Sequence, residues 1–372
     1  MKNILKIILT LLLSFNGILV FAQNATPLLF VGTYTTKTSE GIYVYRFNTE
    51  TGDFTPAAIA KGIANPSFLA ISPDQNFLYA TDGLKGDSVR AFSINAKSGD
   101  LTVLNTQPTG GIGAVHMEVD KTGKWLLLAN YRSGSLNVFP IQTDGSLGTT
   151  SQTIQHEGKS IDPERQTKPY VHSVNVAPNN VDVFVPDLGT DKIVTYALDA
   201  KTGTLSAGTP PFTAVTPGSG PRHFTIHPNG KFAYVIQEMG STITGFNYKN
   251  GKLEAFQIIN SLPDDYKGRK WGADIHISPD GKFLYSSNRA HESIGIFSIH
   301  RKTGKLTLVG HQSVNGKTPR NFAIDPSGNF ILVANQDSDN VTIFKRDKKT
   351  GKMTATGKEM KISMPVCLKF MH

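Results

Sequence analysis

PRHFTIHPNGKFAYVIQEMGSTITGFNYKNGKL, residues 221–253, contains the pattern that the rest of the chain repeats. The turn HPNGK separates two runs in which apolar residues alternate with others, and a third run, TITGFNY, leads into a second turn, KNGKL. Short runs rich in β-branched and aromatic residues, bounded by Gly, Pro and Asn, are typical of β-strands. The stretch therefore predicts consecutive short strands joined by tight turns.

Two turn signals recur along the chain. In the first, a Gly is followed by one residue and then an apolar one, and the seven glycines are Gly52, Gly99, Gly145, Gly203, Gly251, Gly304 and Gly351. The second is a hairpin turn that occurs as SPDQN (72–76), DKTGK (120–124), APNNV (177–181), HPNGK (227–231), SPDGK (278–282) and DPSGN (325–329). A repeat of roughly 50 residues with about four short strands is typical of a β-propeller blade.

The two ends of the chain complete one another. PVCLKF (365–370) resembles PSFLAI (66–71), which leads into the first hairpin turn, but the chain stops where that turn would begin. LLFVGTY and GIYVYRF, near the beginning, resemble the later strands of the same unit. We therefore predict an all-β, seven-bladed β-propeller with one blade closed by pairing N- and C-terminal strands. Closure removes free strand edges, so we expect a monomer.

Residues 1–22 have the layout of a secretory signal peptide. Lys2 and Lys6 precede an apolar stretch, and Ala22 lies at the expected cleavage site. An uncleaved membrane anchor is the alternative, but the apolar stretch is short and is interrupted by Ser14, Asn16 and Gly17. We predict an exported protein, periplasmic or secreted, in which residues 23–372 form a single domain.

Charge and cysteine content exclude some classes of protein. The formal charge of +9 falls to +7 without Lys2 and Lys6, and the remaining basic residues are dispersed among turns. This dispersion indicates a solvated basic surface rather than a nucleic-acid site. The single cysteine, Cys367, cannot form an intramolecular disulfide, and its apolar neighbours predict a buried thiol.

Comparing the repeats locates a candidate site. In a propeller the first strand of each blade lines the central channel. The residues six and five places before the hairpin-turn proline, or its equivalent, are Ser67 and Phe68, Val115 and His116, His172 and Ser173, Arg222 and His223, Ala273 and Asp274, Arg320 and Asn321, and Val366 and Cys367. Positions with only a packing role would be small or apolar in every copy. The histidines, arginines and aspartate instead predict a polar pocket.

A second comparison uses the two consecutive residues at the end of the second strand of each blade. The first member is polar in each blade, as at Gln237, and we interpret it as a backbone cap. The second member varies, and Glu238 and Arg289 differ most from the other copies. The second strand runs antiparallel to the first, so both series lie on one face. The insertions at 152–170 and 260–274 precede first strands and are expected on that face as loops, either walls of the pocket or spacers.

The predicted pocket suits acid–base chemistry on an anionic substrate. It combines His172, Arg222, His223, Glu238, Arg289 and Arg320, with His116, Tyr131 and Arg132 nearby. Imidazole and carboxylate groups can activate water, and guanidinium groups can stabilise an oxyanion. The alternative is that the arginines and Glu238 form ion pairs between blades. GxSxG is absent, and we expect no metal and no cofactor, although Asp274 and Glu238 keep a calcium site open.

Long motifs resemble the lactonase family of seven-bladed propellers. They are VGTYT, HEGKSIDPERQTKPYVHS, VPDLGTDKIVTY, GPRHFTIHPNGKFAYVIQE, IHISPDGKFLYSSNR and KTPRNFAIDPSGNFILVANQDSDNV. The family includes 6-phosphogluconolactonase and carboxy-cis,cis-muconate cyclase. The resemblance implies metal-independent lactonase or lactonising activity. It also implies His172, Arg222 and Glu238 as catalytic residues, with Arg289 as second arginine and Arg320 as its competitor.

We therefore predict a lactone hydrolase, 6-phosphogluconolactonase-like, that acts on a sugar-type lactone. His116, Arg132, His223 and Arg320 are the predicted substrate-binding residues. The alternative is a non-catalytic propeller that binds an anionic sugar or a protein partner through the same face. The export signal departs from the family's expectation, because phosphogluconolactone is a cytoplasmic intermediate.

Overall fold

A computed structural model describes residues 26–84 and 87–371. This part of the chain contains 28 β-strands and no α-helix. Accordingly, none of it forms a helix long and apolar enough to cross a bilayer. The predicted signal peptide, residues 1–22, lies outside the described residues.

The strands form seven four-stranded antiparallel sheets. The first ten are β1 (Leu28–Thr33), β2 (Gly41–Phe47), β3 (Phe54–Lys61), β4 (Leu69–Ile71), β5 (Phe77–Asp82), β6 (Ser88–Ile94), β7 (Leu101–Pro108), β8 (Ala114–Val119), β9 (Trp125–Asn130) and β10 (Ser135–Pro140). The next nine are β11 (Gln152–Gln155), β12 (Asn175–Val176), β13 (Asp182–Asp187), β14 (Lys192–Asp199), β15 (Thr204–Ala214), β16 (Pro221–Ile226), β17 (Phe232–Gln237), β18 (Thr242–Lys249) and β19 (Lys252–Asn260). The last nine are β20 (Gly272–Ile277), β21 (Phe283–Asn288), β22 (Ser293–Ile299), β23 (Leu306–Ser313), β24 (Pro319–Ile324), β25 (Phe330–Asn335), β26 (Asn340–Arg346), β27 (Met353–Lys361) and β28 (Pro365–Phe370).

Six sheets are built from consecutive strands, and the seventh has the order β28-β1-β2-β3. In this split blade, Leu29 pairs with Phe370 and Val31 with Leu368. The backbone N–H of Met371 also donates a hydrogen bond to Leu28 O at 2.9 Å. The predicted seven-bladed propeller, with one blade closed by strands from both ends of the chain, is confirmed. Cys367 lies in this closing strand as a fully buried free thiol, as predicted.

The recurring glycine turn joins each blade to the blade before it. Gly304, for example, has φ of +69°, and a Cβ there would lie 2.6 Å from the ring of Phe232 in the preceding blade. The carbonyl oxygen of the same glycine accepts a hydrogen bond from the Tyr234 hydroxyl at 2.6 Å. Equivalent bonds join Tyr79 to Gly145 and Tyr285 to Gly351. Glycine recurs at this turn because both the backbone conformation and the space exclude a side chain.

The two predicted insertions, 152–170 and 260–274, are shorter in the structure than in the prediction. Residues 152–155, expected to be loop, form β11, the outer strand of the third blade. Ile154 faces the hydrophobic core from that strand, while its neighbours Thr153 and Gln155 are exposed. A short outer strand with one inward apolar residue resembles a polar loop in sequence. The irregular segments are therefore 156–170 and 261–271.

Candidate active site

A β-bulge at the start of the inner strands turns two consecutive side chains toward the channel. In β16, Pro221 pairs with Gln237 and His223 with Ile236, so Arg222 has no partner residue on β17. The register shifts at the same place in β8, β20 and β24. Arg320 occupies the bulged position of β24. Bulges re-aim side chains and are frequent beside active sites, and here they bring an arginine and the next residue into one pocket.

Glu238 is the centre of the polar cluster. It follows β17, and its Oε2 lies 3.1 Å from Arg222 Nε and 2.8 Å from Arg289 Nη2. Its Oε1 lies 2.5 Å from Arg165 Nη2. His172 Nε2 is 3.9 Å from Oε2. Three guanidinium groups therefore surround one carboxylate, and an imidazole lies beside it.

Backbone carbonyl groups fix the two buried arginines. Arg222 Nη1 donates to Ala273 O at 2.5 Å, and Arg289 Nη2 donates to Gly272 O at 2.8 Å. The backbone of Glu238 is held as well, since its carbonyl oxygen accepts from Gly272 N at 3.0 Å. The contacts of Arg222 with Ala273 and of Gly272 with Glu238 connect the fifth blade with the sixth. The cluster therefore links two neighbouring blades, which is the ion-pair role that the sequence analysis left open as an alternative.

Arg165 is a member of the cluster that sequence comparison does not predict. It comes from the irregular segment 156–170, where Asp162 Oδ1 accepts from its backbone N–H at 2.8 Å. The segment is anchored by Gln166, whose Nε2 donates to Leu188 O at 2.8 Å. The Arg165 side chain is 36% exposed, whereas that of Arg222 is 2% exposed. The segment thus supplies a wall of the pocket and one accessible cation.

The second irregular segment reaches the same pocket. Trp271 precedes β20, and the guanidinium carbons of Arg269 and Arg289 each lie 4.1 Å from the centroid of its ring system. Cation–π contact of this kind favours the charged form of arginine and restrains its position. Both insertions therefore lie on the face predicted for them.

The two candidate bases of the cluster, Glu238 and His172, differ in charge because of their electrostatic surroundings. Burial tends to raise the pKa of Glu238, but attraction to Arg289 and Arg222 outweighs it and holds the pKa well below its usual value. Burial and the charge of Arg222 hold the pKa of His172 well below its usual value too. At neutral pH, Glu238 is therefore an anion and His172 a neutral imidazole.

Below the cluster, aromatic rings narrow the channel. The ring centroids of Phe68 and His116 lie 4.2 Å apart, and those of His116 and His223 5.3 Å apart. Asp274 Oδ1 lies 2.7 Å from His223 Nδ1, and its Oδ2 lies 2.9 Å from His276 Nε2. Burial, together with the charge of Arg222, lowers the pKa of His223 to about 4. His223 is thus a neutral, oriented ring in the wall of the channel.

The structure brings together most of the predicted residues but not all of them. His172, Arg222, Glu238 and Arg289 form the cluster described above. Arg320 lies near it, with its guanidinium 5.5 Å from the Tyr34 ring, and His116 and His223 lie one layer deeper. Arg132 is exposed, and within the described residues its side chain forms no ion pair or hydrogen bond with the cluster. Tyr131 does reach the pocket, because its ring lies 5.1 Å from that of His172.

The described part of the chain contains no group of three or more His, Cys, Asp or Glu side chains arranged to hold a metal ion. Glu238 accepts from arginines, and Asp274 accepts from His223, His276 and Asn321. These carboxylates are therefore engaged by protein donors. The arrangement can bind an anion, stabilise a developing oxyanion and accept a proton at His172.

Comparisons with known proteins agree on one family. The family model described as "Lactonase, 7-bladed beta-propeller" matches residues 28–370. A 6-phosphogluconolactonase of Bacillus subtilis is 37% identical over 347 residues, which are 92% of this chain and 98% of the relative. A 6-phosphogluconolactonase of Formosa agariphila is 40% identical over 307 residues, covering 80% and 86%. The solved structure of a periplasmic gluconolactonase of Pseudomonas aeruginosa, PpgL, has a TM-score of 0.88 at 34% identity, covering 93% of this chain and 100% of that one.

Proposed function

Because this chain belongs to the lactonase family of seven-bladed β-propellers, we propose that it hydrolyses a sugar-type lactone at the Glu238 cluster. The observation that carries the proposal is the excess of guanidinium charge over carboxylate charge beside a neutral imidazole. Arg165, Arg222 and Arg289 contact a single carboxylate. The pocket therefore favours negative charge, which develops on the carbonyl oxygen when water attacks a lactone.

His172 is the proposed general base. A carboxylate that accepts from three arginines binds a proton weakly, whereas a neutral imidazole can accept one. His172 Nδ1 is buried and has no hydrogen-bond partner in the described part of the protein. In the proposed reaction, His172 takes a proton from water as the oxygen bonds to the carbonyl carbon. It returns that proton to the ring oxygen as the bond between the carbonyl carbon and the ring oxygen breaks, giving a hydroxy acid.

Arg222 and Arg289 are the proposed oxyanion-stabilising groups. Burial lowers the pKa of Arg222 to about 10 and that of Arg289 to about 9, so both remain protonated at neutral pH. Arg165 and Arg320 are less buried and not fixed by backbone carbonyl groups, which suits them to an anionic substituent of the substrate. A phosphate or carboxylate on the sugar would form charge-assisted hydrogen bonds with them.

We further propose that the protein acts outside the cytoplasm. The signal-peptide pattern of residues 1–22 supports this, and so does the similarity to a periplasmic gluconolactonase. Mass spectrometry of the protein from the periplasm or medium should give a mature N-terminus near Gln23. A full-length chain retained in the cytoplasm would contradict export.

The test of function is lactone opening by the mature protein. Glucono-δ-lactone and its 6-phosphate should both be measured against the buffer rate, because lactones open spontaneously. Arg222→Met should lower the excess rate by about 100- to 1000-fold, the usual effect of losing an oxyanion-stabilising group. An unfolding curve for each variant separates a loss of chemistry from a loss of fold.

Parallel variants distinguish the two candidate second arginines. Arg289→Lys should reduce kcat as Arg222→Met does, because lysine cannot reproduce the guanidinium contacts with Glu238 and Gly272 O. Arg320→Lys should mainly raise KM. Binding of a lactone or sugar acid without any turnover across the panel would instead favour a non-catalytic binding propeller.

A further inference from the structure

The channel widens into a second cavity on the face opposite Glu238. Its volume is about 440 Å³, which falls within the range of small-molecule sites. Its rim includes Ser72 and Pro73, from the turn that follows β4. Inner strands run from the Glu238 face toward these turns, so the cavity opens on the other side of the disc.

Polar residues from five blades line this cavity. In a strand, every second side chain faces the same side. The residues two places beyond the channel-facing layer of Phe68, His116 and His223 are Ala70, Glu118, Asn175, Thr225, His276, Ala323 and Lys369. All of them except Ala323 line the cavity. Two of the seven equivalent positions hold alanine, which shows that a small apolar side chain is enough for packing at this layer. The polar residues at the other five positions therefore require another explanation.

The two charged side chains of the layer are not paired with each other. Lys369 Nζ lies 4.9 Å from the Phe68 ring centroid, and neither Lys369 nor Glu118 forms an ion pair within the described residues. Burial raises the pKa of Glu118 to about 7, and the carboxyl accepts a hydrogen bond from the backbone N–H of Val176. The charge of Lys369 attracts the Glu118 carboxylate and lowers its pKa somewhat, but the two groups face one cavity without forming an ion pair.

The uncharged groups are also partly available. Asn175 Nδ2 donates to Ser173 Oγ and Phe184 O, which leaves its amide oxygen without a donor among the described residues. His276 Nε2 lies 2.9 Å from Asp274 Oδ2. The His276 side chain is 37% exposed, so its other ring nitrogen, Nδ1, can reach a ligand. The layer therefore offers donors, acceptors and one cation in a ring. Hydroxyl groups both donate and accept, which matches such a mixed set.

We propose that this cavity binds a monosaccharide-sized polyhydroxy carboxylate. The carboxylate pairs with Lys369, and hydroxyl groups bond to Glu118, Asn175 and His276. A multiply charged phosphate fits less well because Glu118 and Asp274 face the same space. The rings of Phe68, His116 and His223 separate this cavity from the Glu238 cluster, so the site is distinct from the proposed lactonase site and goes beyond that function.

Calorimetric titration of the mature protein with D-gluconate tests the proposal. Gluconate should bind, and Lys369→Met should weaken that binding at least about tenfold, the effect of losing one charge-assisted hydrogen bond. D-glucose, which lacks the carboxylate, should bind more weakly and should not discriminate between the two proteins. Lys345→Met, at an exposed lysine of β26, is the matched control and should bind gluconate as the unmodified protein does.

Lactone turnover measured on the same samples keeps the two proposals apart. Lys369→Met should retain turnover within about twofold, because Lys369 lies outside the Glu238 cluster. Gluconate that binds equally well to Lys369→Met, or that does not bind at all, overturns the second site. Lysine-dependent binding in a protein without turnover would uphold this site and reject only the lactonase proposal.

Discussion

Glu238 Oε2 and His172 Nε2 lie 3.9 Å apart, yet the two side chains differ in how readily they accept a proton. The three arginines around Glu238 stabilise its charged form, and taking up a proton would require giving up that stabilisation. His172 is buried beside the positive charge of Arg222, which disfavours an imidazolium ion. The cluster therefore keeps the carboxylate ionised and the imidazole neutral at the same pH.

The first prediction concerns the acid limb of the pH profile. Activity should need neutral His172, and its lowered pKa means that the neutral form persists below pH 6.5. As pH falls, kcat/KM should therefore decline only well below 6.5, when the folded-state pKa is reached. His172→Gln should lose about 100- to 10000-fold in kcat and should lose that acid limb. An unchanged profile in the variant would rule out His172 as the base.

The second prediction concerns Arg165 as the cation that meets the substrate's anionic group. Arg165→Met should raise KM for the 6-phosphate lactone by about tenfold or more, the effect expected of one charge-assisted hydrogen bond. KM for the uncharged lactone should change much less. Arg301→Met, at an exposed arginine in the turn after β22, is the control. Equal effects on both lactones would indicate that Arg165 only supports Glu238.

Sequence comparison could identify Arg222 and Glu238 because each has counterparts in six other copies. A residue that departs from its counterparts at a channel position needs a reason other than packing. Arg165 has no counterpart, since segment 156–170 occurs once. Its position depends on local hydrogen bonds, in which Asp162 Oδ1 accepts from the backbone N–H of Arg165 and Gln166 Oε1 accepts from that of Asp162. For Asp274 the sequence predicts a place in the polar pocket and leaves a metal-ligand role open, but it does not predict the residue's partners. Its contacts with two histidines depend on neighbouring blades, which spacing along the chain does not reveal.

At the level of the strand, the bulge explains why residue pairs, rather than single residues, differ between copies. In a regular strand Arg222 and His223 would face opposite sides. The bulge lets Arg222 reach Glu238 while His223 faces the channel next to His116. Alternation of apolar residues predicted the strand but not its bulge, because the bulge lies at the start of the strand and the alternation after it is unbroken.

The third prediction separates backbone strain from crowding at the glycine turns. Gly304→Ala places a methyl group against Phe232, whereas at Gly230, with φ of +66°, no atom lies within 4 Å of where a Cβ would be. Gly230→Ala should cost about 1–2 kcal/mol of the free energy of unfolding, for the left-handed backbone alone. Gly304→Ala should cost about 1–3 kcal/mol more, for overpacking. Urea unfolding measures both, and equal losses would show that the ring contact does not matter.

For the whole molecule, we expect closure of the ring by β28 to contribute strongly to stability. β28 pairs with β1, and its residues Val366, Leu368 and Phe370 are buried. Without β28, the first blade has three strands and its inner edge is open to pairing with another chain. The sequence predicted this closure because the missing hairpin turn and the incomplete first unit complement each other.

The fourth prediction is that removing residues 365–372 causes the protein to unfold or aggregate. The deletion exposes buried apolar surface and a strand edge together, so aggregation or unfolding should follow. Size-exclusion chromatography and circular dichroism measure the outcome. Removing only Met371 and His372 is the control and should cost little, because β28 remains. A monomeric, folded protein after the longer deletion would show that six blades and a partial seventh suffice.

The contact between Met371 N and Leu28 O also bears on chain connectivity. Because Leu28 and Met371 lie this close, a short linker could join them into a covalent circle, and the circle could be reopened in another surface turn, such as the one at Asn250 and Gly251. Such a circular permutant would keep every blade, both mouths of the channel and the Glu238 cluster, although its residues would be synthesised in a different order. The arrangement of blades around the axis, rather than the position of the first residue, is what the fold preserves.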